Sequence, residues 1–413
     1  MTQSNQINHG QSSKRAVDVK VTLRGPAELA DALPFLMGFH PNDSIVLVAL
    51  HGVHGRFGGR LRLGLPQDPD EWPEVARQLA ECLVNNSTRR GARPDAVVAF
   101  LCQDPCEGER SSEVTVRLRP LAQLLRVACG ELNVPVVEAL CVSAGRWWSY
   151  CRPEEAATPE DGVALPPPGT SNIAATAAYV GLPAPASLRD MESRLKPAQP
   201  RNRGQETALD MACAELVPRM LADGDGEDAR NRTLALARAA LERFRAAPPV
   251  TDPARGDQRD DKLLGDDEAA AIILGLQDRR TRDRAAEWME PAQADAALRL
   301  WRALARRCAG PYGEHAAAPL TLAGWVAWSS GDEAEARVAL GLALELEPHY
   351  TFARLLHHSV NEGLDPELLR RCLRQERRDR VIAAAKARRG PAGPAGRGPG
   401  RHSPGGHRVR TRR

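Results

Sequence analysis

The sequence has no long apolar run and no secretory signal. No uninterrupted apolar stretch approaches the roughly 18–20 residues that cross a bilayer. Residues 1–9 also lack the basic region followed by an apolar region that marks a signal peptide. We therefore expect a cytoplasmic protein that does not engage a membrane.

Metal-binding and disulfide patterns are missing, although the chain contains nine cysteines. Most of these lie inside apolar segments, as small buried hydrophobic residues do. Cys102 and Cys106 lie close together, as do His51 and His54, but a structural zinc site needs four ligands and no second pair has a suitable spacing. We expect no disulfide and no bound metal.

Catalytic and cofactor motifs are missing as well. The sequence contains neither Gly-x-Ser-x-Gly nor His-Glu-x-x-His, and it has no glycine-rich phosphate loop followed by Lys-Ser or Lys-Thr. Aromatic residues make up only 4% of the chain, but apolar residues reach 42%. At 413 residues this is enough for the cores of about two to three domains. We expect no cofactor, and no reaction can be named.

Hydrophobic periodicity divides the chain into two parts of different fold class. Alternating or fully apolar runs predict strands at residues 17–23, 45–50, 59–65, 96–102 and 134–142. Helical patterns lie between them, so we predict a layered α/β domain with a mixed sheet, followed by an all-α domain. The predicted bounds are a disordered start (1–15), an α/β domain (16–152), a linker with short helices (153–206) and a helical domain (207–372).

Two features of the helical part are predicted in more detail. Residues 267–289 show the periodicity of one long helix. From Ala317 to Pro348 the small and apolar residues follow the phasing of one tetratricopeptide-type hairpin, with Trp325 and Trp328 as core residues. Only one repeat fits, so we predict a single hairpin within a larger helical domain that presents a surface to a protein partner.

The end of the chain has its own charge. We predict that residues 373–413 contain the end of the last helix and a disordered basic tail. Residues 380–413 hold ten Lys or Arg and no Asp or Glu, which leaves 46 basic and 53 acidic residues in the remainder. The tail contacts nucleic-acid phosphates without reading sequence, folds back on the acidic body or has no specific role. The arginines that would make such contacts are Arg397, Arg401, Arg408, Arg410, Arg412 and Arg413.

A polar loop precedes the strand at residues 45–50. His40, Asn42, Asp43 and Ser44 follow Gly38 there. Loops at the ends of strands bind ligands in many α/β domains, so these four residues are a candidate ligand site. The alternative is turn chemistry, because Pro, Asn and Asp favour a β-turn and Ser can begin a strand.

Arg279, Arg282 and Asp283 form a second candidate site, a charged patch on a predicted helix. Side chains three or four positions apart on a helix are neighbours. The patch is either a partner-binding surface or a solvated face with salt bridges.

Three segments carry a family likeness. They are Leu-Pro-Phe-Leu-Met-Gly-Phe-His-Pro-Asn-Asp-Ser at residues 33–44, Arg-Trp-Trp-Ser-Tyr-Cys at 146–151, and the helical segment 316–348. Together they resemble the actinobacterial family of domain of unknown function 4192 (DUF4192) over residues 17–372. The resemblance implies a cytoplasmic protein of two-part architecture and implies no activity.

These observations favour a non-enzymatic interaction or regulatory protein that uses its helical domain. Two alternatives stay open. One is an enzyme or small-ligand sensor whose site lies at the strand ends near residues 40–44, and the other is non-specific nucleic-acid association through the tail.

Overall fold

A computed structural model describes most of the chain, namely residues 3–6, 20–23, 25–151, 159–180, 184–197, 203–222, 226–248 and 250–388. The chain forms two compact units, residues 1–366 and residues 367–413. The larger unit contains the strands and the helices up to residue 361. The described part of the smaller unit is one helix.

The strands form one large mixed sheet and two small sheets. Their bounds are β1 Gln3–Gln6, β2 Lys20–Leu23, β3 Phe39–His40, β4 Ser44–His51, β5 Arg56–Gly64, β6 Ala96–Cys102, β7 Val136–Ser143, β8 Arg146–Ser149, β9 Val163–Ala164 and β10 Ala186–Ser187. The six-stranded sheet has the order β5-β4-β6-β7-β8-β9. Its β6–β7 pair is parallel and its other pairs are antiparallel. The prediction of a mixed α/β sheet is confirmed.

The two small sheets are each a pair of short strands. β1 pairs antiparallel with β2, although β1 lies in the segment predicted to be disordered. β10 pairs parallel with β3, so the chain between the two predicted domains returns to the start of β4. Residues 186–187, which lie in the predicted linker, therefore form a strand that pairs with β3.

The helices cover the sheet and build the all-α part. Their bounds are α1 Pro26–Met37, α2 Trp72–Arg89, α3 Ser111–Glu131, α4 Asn172–Tyr179, α5 Leu188–Ser193, α6 Arg203–Ala222, α7 Glu227–Ala246, α8 Pro253–Asp261, α9 Asp266–Gly275, α10 Arg279–Ala285, α11 Ala294–Arg306, α12 Ala317–Ser329, α13 Glu333–Leu346, α14 Thr351–Asn361 and α15 Glu367–Arg388. Among the described residues, no helix combines the length and apolarity needed to cross a membrane.

One face of the six-stranded sheet, here called the first sheet face, packs against α2 and α3 and forms the core of the α/β part. Alternate residues of β4 and β6, such as Ile45 and Leu101, are buried against α2 and α3. Leu61 of β5 packs on the same cluster. Because successive strand residues point to opposite faces, Arg60 and Arg62 project from the opposite face of the sheet, here called the second sheet face.

The predicted single helix over residues 267–289 is wrong. α9 ends at Gly275 and α10 begins at Arg279, because Asp278 caps the second helix. Its carboxylate accepts hydrogen bonds from the backbone N–H and the hydroxyl of Thr281, each at 2.8 Å. An Asp that bonds nearby backbone N–H groups favours a helix start over a helix interior.

Every residue of α12, the first helix of the α12–α13 hairpin, is buried. Trp325 and Trp328 are both buried and meet edge to face at 5.8 Å, so their assignment to the core is confirmed. The Trp325 indole N–H donates to the carbonyl of Ala286 at 2.8 Å. Asp332 begins α13, and its side chain accepts a hydrogen bond from the backbone N–H of Glu335.

Helix α11 carries an arginine face that is buried against other helices. Arg299 donates to Asp260 of α8 at 2.6 and 2.8 Å. Arg302 forms a two-bond ion pair with Glu335 of α13. Arg306 donates to the carboxylate of Asp261 at 2.6 Å, again on α8. The positive charge of α11 therefore fixes the positions of two neighbouring helices.

We expect Gly324→Ala to destabilise the protein. A Cβ at this position of α12 would lie 2.6 Å from Leu340 Cγ and 3.3 Å from the carbonyl oxygen of Ala336. Overpacking of this kind lowers the free energy of unfolding by about 1–3 kcal/mol. Urea denaturation measures the change.

Gly341→Ala is the matched control, because Gly341 lies in the partner helix α13 and a Cβ there meets nothing within 4 Å. It should raise the free energy of unfolding by about 0.5–1 kcal/mol through helix propensity. Equal effects of the two substitutions would contradict the close approach of α12 and α13 at Gly324.

The Arg302–Glu335 pair yields a second prediction for unfolding. Arg302→Leu leaves the buried carboxylate of Glu335 without its ion-pair partner, and the loss of unfolding free energy should be about 3–5 kcal/mol. The double substitution Arg302→Leu with Glu335→Leu should recover much of that loss, since no buried charge is then left alone. A double variant as unstable as the single variant would count against this explanation.

Candidate functional site

The candidate ligand loop lies between the end of α1 and the start of β4. Helix α1 ends at Gly38, whose φ of 84° is in the left-handed region. A Cβ on Gly38 would lie 2.8 Å from the Cβ of Ala334 in α13. The loop therefore lies where the α/β part meets the helical hairpin.

Ser44 is fully buried and its hydroxyl is used twice within the protein. It donates to the backbone carbonyl of Asn42 at 2.5 Å and accepts from Nε of Arg62 at 2.9 Å. Burial lowers the pKa of Arg62, and the nearby carboxylates of Glu192 and Glu345 partly offset this effect. Ser44 thus holds an arginine on the second sheet face.

Asp43 is exposed and has a left-handed backbone, with φ at 42°. Asp and Asn adopt this conformation more readily than most residues. Its carboxylate accepts from Arg189 at 3.0 Å and from Gln103 at 3.4 Å. Its carbonyl accepts from the backbone N–H of Leu65 at 2.7 Å. The turn is therefore fixed by β5, the end of β6 and the start of α5.

Asn42 extends the same hydrogen-bond network. Its amide group donates to Asp104 at 3.5 Å, and its side-chain carbonyl accepts from the backbone N–H of Arg189 at 3.5 Å. Asp104 in turn accepts from the backbone N–H of Ala144 at 2.9 Å, in the turn between β7 and β8. The structure thus brings three of the candidate residues, Asn42, Asp43 and Ser44, into one network with partners inside the protein.

His40 differs from the other three candidates. Its backbone pairs with Ser187 in β10 and its side chain is exposed. Partial burial of the imidazole lowers its pKa, and the carboxylate of Asp31 partly offsets this effect. Within the described part of the chain, the imidazole of His40 has no hydrogen-bond partner. Whether the loop binds a ligand stays a prediction.

The second candidate site lies on α10. Arg282 lies over the ring of Tyr350, with Cζ 4.8 Å from the ring centroid, and donates to the carbonyl of Gln277 at 3.3 Å. Arg279 and Asp283 form an ion pair with a nitrogen–oxygen distance of 3.8 Å, and both side chains are exposed. Burial raises the pKa of Asp283, against the effect of Arg279 and Arg282. Arg282 has a packing role, while Arg279 and Asp283 remain open to a partner.

The structure contains a cavity that the sequence did not indicate. It has a volume of about 420 Å³ and lies beside the start of α12, the end of α13 and the segment after α5. Its apolar lining includes Leu195, Ala309, Ala316, Leu320, Leu342 and Leu346. Gly313 also lines it, and Lys196 and Glu345 are its charged residues. The available signal was a series of small residues between α11 and α12, which leaves space that larger side chains would fill.

Among the described residues, no cluster of three or more His, Cys, Asp or Glu side chains could hold a metal ion. Each cysteine is a free thiol. The tail arginines predicted to contact nucleic acid, Arg397, Arg401, Arg408, Arg410, Arg412 and Arg413, lie outside the described residues. Nucleic-acid contact therefore stays a prediction.

Comparison with known protein families identifies the family of the chain. A family model described as Domain of unknown function (DUF4192) matches residues 26–367. The chain belongs to the DUF4192 family. The match includes the sheet and the helical part together, so both parts, with the cavity and the candidate loop, lie within the DUF4192 region. No curated protein and no solved structure matches the chain.

We expect Ser44→Ala to destabilise the fold of this DUF4192 protein. The substitution removes the acceptor for Arg62 Nε and leaves a partly buried guanidinium N–H unpaired. The free energy of unfolding should fall by about 1–3 kcal/mol. Chemical denaturation monitored by circular dichroism measures this loss.

Arg189→Gln is the comparison variant, because it breaks the exposed ion pair of the same loop with Asp43. Its effect should stay within about 1 kcal/mol. If Ser44→Ala is no more destabilising than Arg189→Gln, the inner hydrogen bonds of the loop do not have the structural role assigned to them.

Proposed function

We propose that the protein is a non-enzymatic interaction or regulatory protein that binds a protein partner through its helical part. In this proposal an apolar side chain of the partner enters the cavity beside the α12–α13 hairpin. The cavity is the observation that carries the proposal. The phasing of residues 317–348, which is similar to a tetratricopeptide hairpin, supports the same surface.

The cavity has walls that suit an apolar side chain. Leu320 and Leu342 are buried in its wall, whereas Leu346, the last residue of α13, is 44% exposed. Burying an exposed leucine against a partner removes apolar surface from water and favours association. Exposed large apolar residues beside a concave apolar surface are a common feature of binding sites.

Charge at the cavity rim indicates the kind of partner. Lys196 is paired with Glu192 at 2.6 Å. Glu345 is exposed and has no hydrogen bond or ion pair within the described residues, and Arg62 contributes only a longer-range attraction. A partner segment in which Lys or Arg adjoins a large apolar residue would match both the rim and the cavity.

The strand-end loop offers less support for the alternative of an enzyme or small-ligand sensor. The polar groups of Asn42, Asp43 and Ser44 already bond to groups inside the protein. The helical cavity could hold the ligand of a small-ligand sensor, because about 420 Å³ lies within the usual range for small-molecule pockets.

Two substitutions test the proposal by affinity capture from cells followed by quantitative mass spectrometry. Leu346→Asp places a charge at the rim, and Gly313→Phe fills the cavity from a position where an added Cβ meets nothing within 4 Å. Both should reduce recovery of a specific partner by about tenfold or more, the effect of losing one buried apolar anchor.

Leu355→Asp is the matched control, because Leu355 is an exposed leucine of α14 that does not line the cavity. It should leave capture unchanged. The proposal fails if Leu346→Asp and Gly313→Phe retain every partner that the wild type captures. A different result would favour the small-ligand sensor. In it, small apolar compounds stabilise the wild type but not Gly313→Phe, and Gly313→Phe still captures every protein partner.

A further inference from the structure

Three arginines from three different elements lie near one another by the C-terminal end of α14. Arg90 and Arg337 both bond to Asn361, and the charges of both act on Arg60. Arg90 follows the C-terminus of α2, Arg337 lies on α13 and Arg60 lies on β5. They belong to parts of the chain that are up to 277 positions apart, so the fold alone brings them together.

Arg90 and Arg337 both form hydrogen bonds with the C-terminal end of α14. Arg90 donates to the carbonyl of Asn361 at 2.7 Å and pairs with Glu362 at 3.0 Å. Arg337 donates to the side-chain carbonyl of Asn361 at 3.2 Å and pairs with Glu333 at 2.7 Å. Both guanidinium groups therefore share Asn361, and each already has one carboxylate.

Arg60 is the member of this group without a carboxylate of its own. In the part of the chain that the structure describes, its guanidinium has no hydrogen bond and no ion pair. Its side chain reaches solvent, but the protein around it is dense enough to lower its pKa to about 10. Repulsion from Arg337 and Arg90 contributes to this lowering, and Glu333 partly opposes it.

The local charge balance is therefore positive. Three guanidinium groups face two carboxylates, Glu333 and Glu362. The other titratable neighbours are His358, which acts on Glu362, and His357, which lies 3.2 Å from the amide nitrogen of Asn361. Burial lowers the pKa of His357, as does repulsion from Arg337, so it adds little charge near neutral pH. Among the described residues, one positive charge in this cluster has no carboxylate as a counterion.

We propose that Arg60, Arg90 and Arg337 form a binding site for the phosphate group of a small molecule, with Arg60 as its principal contact. A phosphate oxyanion suits this site because a guanidinium group can donate two parallel hydrogen bonds to it. The anion would neutralise the excess charge and would reduce the repulsion among the three arginines. This site is separate from the helical cavity and does not depend on the protein-partner proposal.

Titration calorimetry and thermal unfolding of the full chain with inorganic phosphate test the site, at fixed ionic strength maintained with chloride. Phosphate should bind the wild type and raise its melting temperature. Arg60→Gln should weaken phosphate binding by about tenfold or more, the effect of losing a hydrogen bond to a charged group. Arg60→Lys keeps the charge without the two-bond geometry and should give an intermediate affinity.

Arg56→Gln is the matched control, because Arg56 lies on the same strand, is exposed and is not among the charged groups that act on Arg60. It should bind phosphate as the wild type does. Without phosphate, Arg60→Gln should unfold at the wild-type temperature or slightly above it, because the substitution removes a repelling charge and breaks no hydrogen bond with a described residue.

Two results would overturn the proposal: no phosphate binding by the wild type, or equal binding by the wild type and Arg60→Gln. A short single-stranded oligonucleotide distinguishes the source of the phosphate. Free phosphate binding that the oligonucleotide does not displace supports a small-molecule ligand. Displacement that disappears in Arg60→Gln would assign the site to nucleic acid and would overturn the small-molecule proposal.

Discussion

The helical part depends on the pairing of buried arginines with carboxylates from other helices. Helix α11 contributes Arg299, Arg302 and Arg306, which are all buried. Their partners lie on α8 and α13. Removing such charges from water costs several kcal/mol per ion unless each one is paired and hydrogen-bonded. An arrangement that separated one helix from the others would leave a buried charge alone, so the pairs favour one packing over alternatives of similar apolar burial.

A similar constraint joins the two parts of the larger unit. The Asn42–Ser44 loop bonds to the residues that follow β5 and β6 and to Arg189, while Gly38 lies against Ala334 of the helical hairpin. Polar residues at a strand end can therefore have a structural role at the junction of two subregions. The position of the loop is typical of a ligand site, whereas its hydrogen bonds connect the two parts of the larger unit.

Several elements could be predicted because their burial leaves a pattern of apolar residues in a short stretch of sequence. β4 and β6 are almost wholly apolar and are buried on both faces, which gives short continuous apolar runs. Trp325 and Trp328 followed from helical periodicity. The break between α9 and α10 was missed, since the apolar pattern continues across Asp278 and only the bonds of its side chain reveal the cap.

The sites were harder to predict because they depend on residues that are distant in the chain. The cavity results from small side chains near residues 309–316 facing α13 and the segment after α5. The convergence of Arg60, Arg90 and Arg337 has no local pattern, since the three residues belong to three separate elements. The ion pair of Arg302 with Glu335 joins positions 33 residues apart and looks like ordinary surface charge in the sequence.

Strand β5 has a further consequence for the behaviour of the protein in solution. It lies at the edge of the six-stranded sheet, where an unpaired backbone can recruit a strand from another molecule. Its sequence, Arg-Phe-Gly-Gly-Arg-Leu-Arg-Leu-Gly, contains three arginines and three glycines beside Phe57, Leu61 and Leu63. Two such edges would bring like charges together, and glycine adds little to strand pairing. The same arginines that face the helical part therefore also protect the sheet from edge-to-edge aggregation.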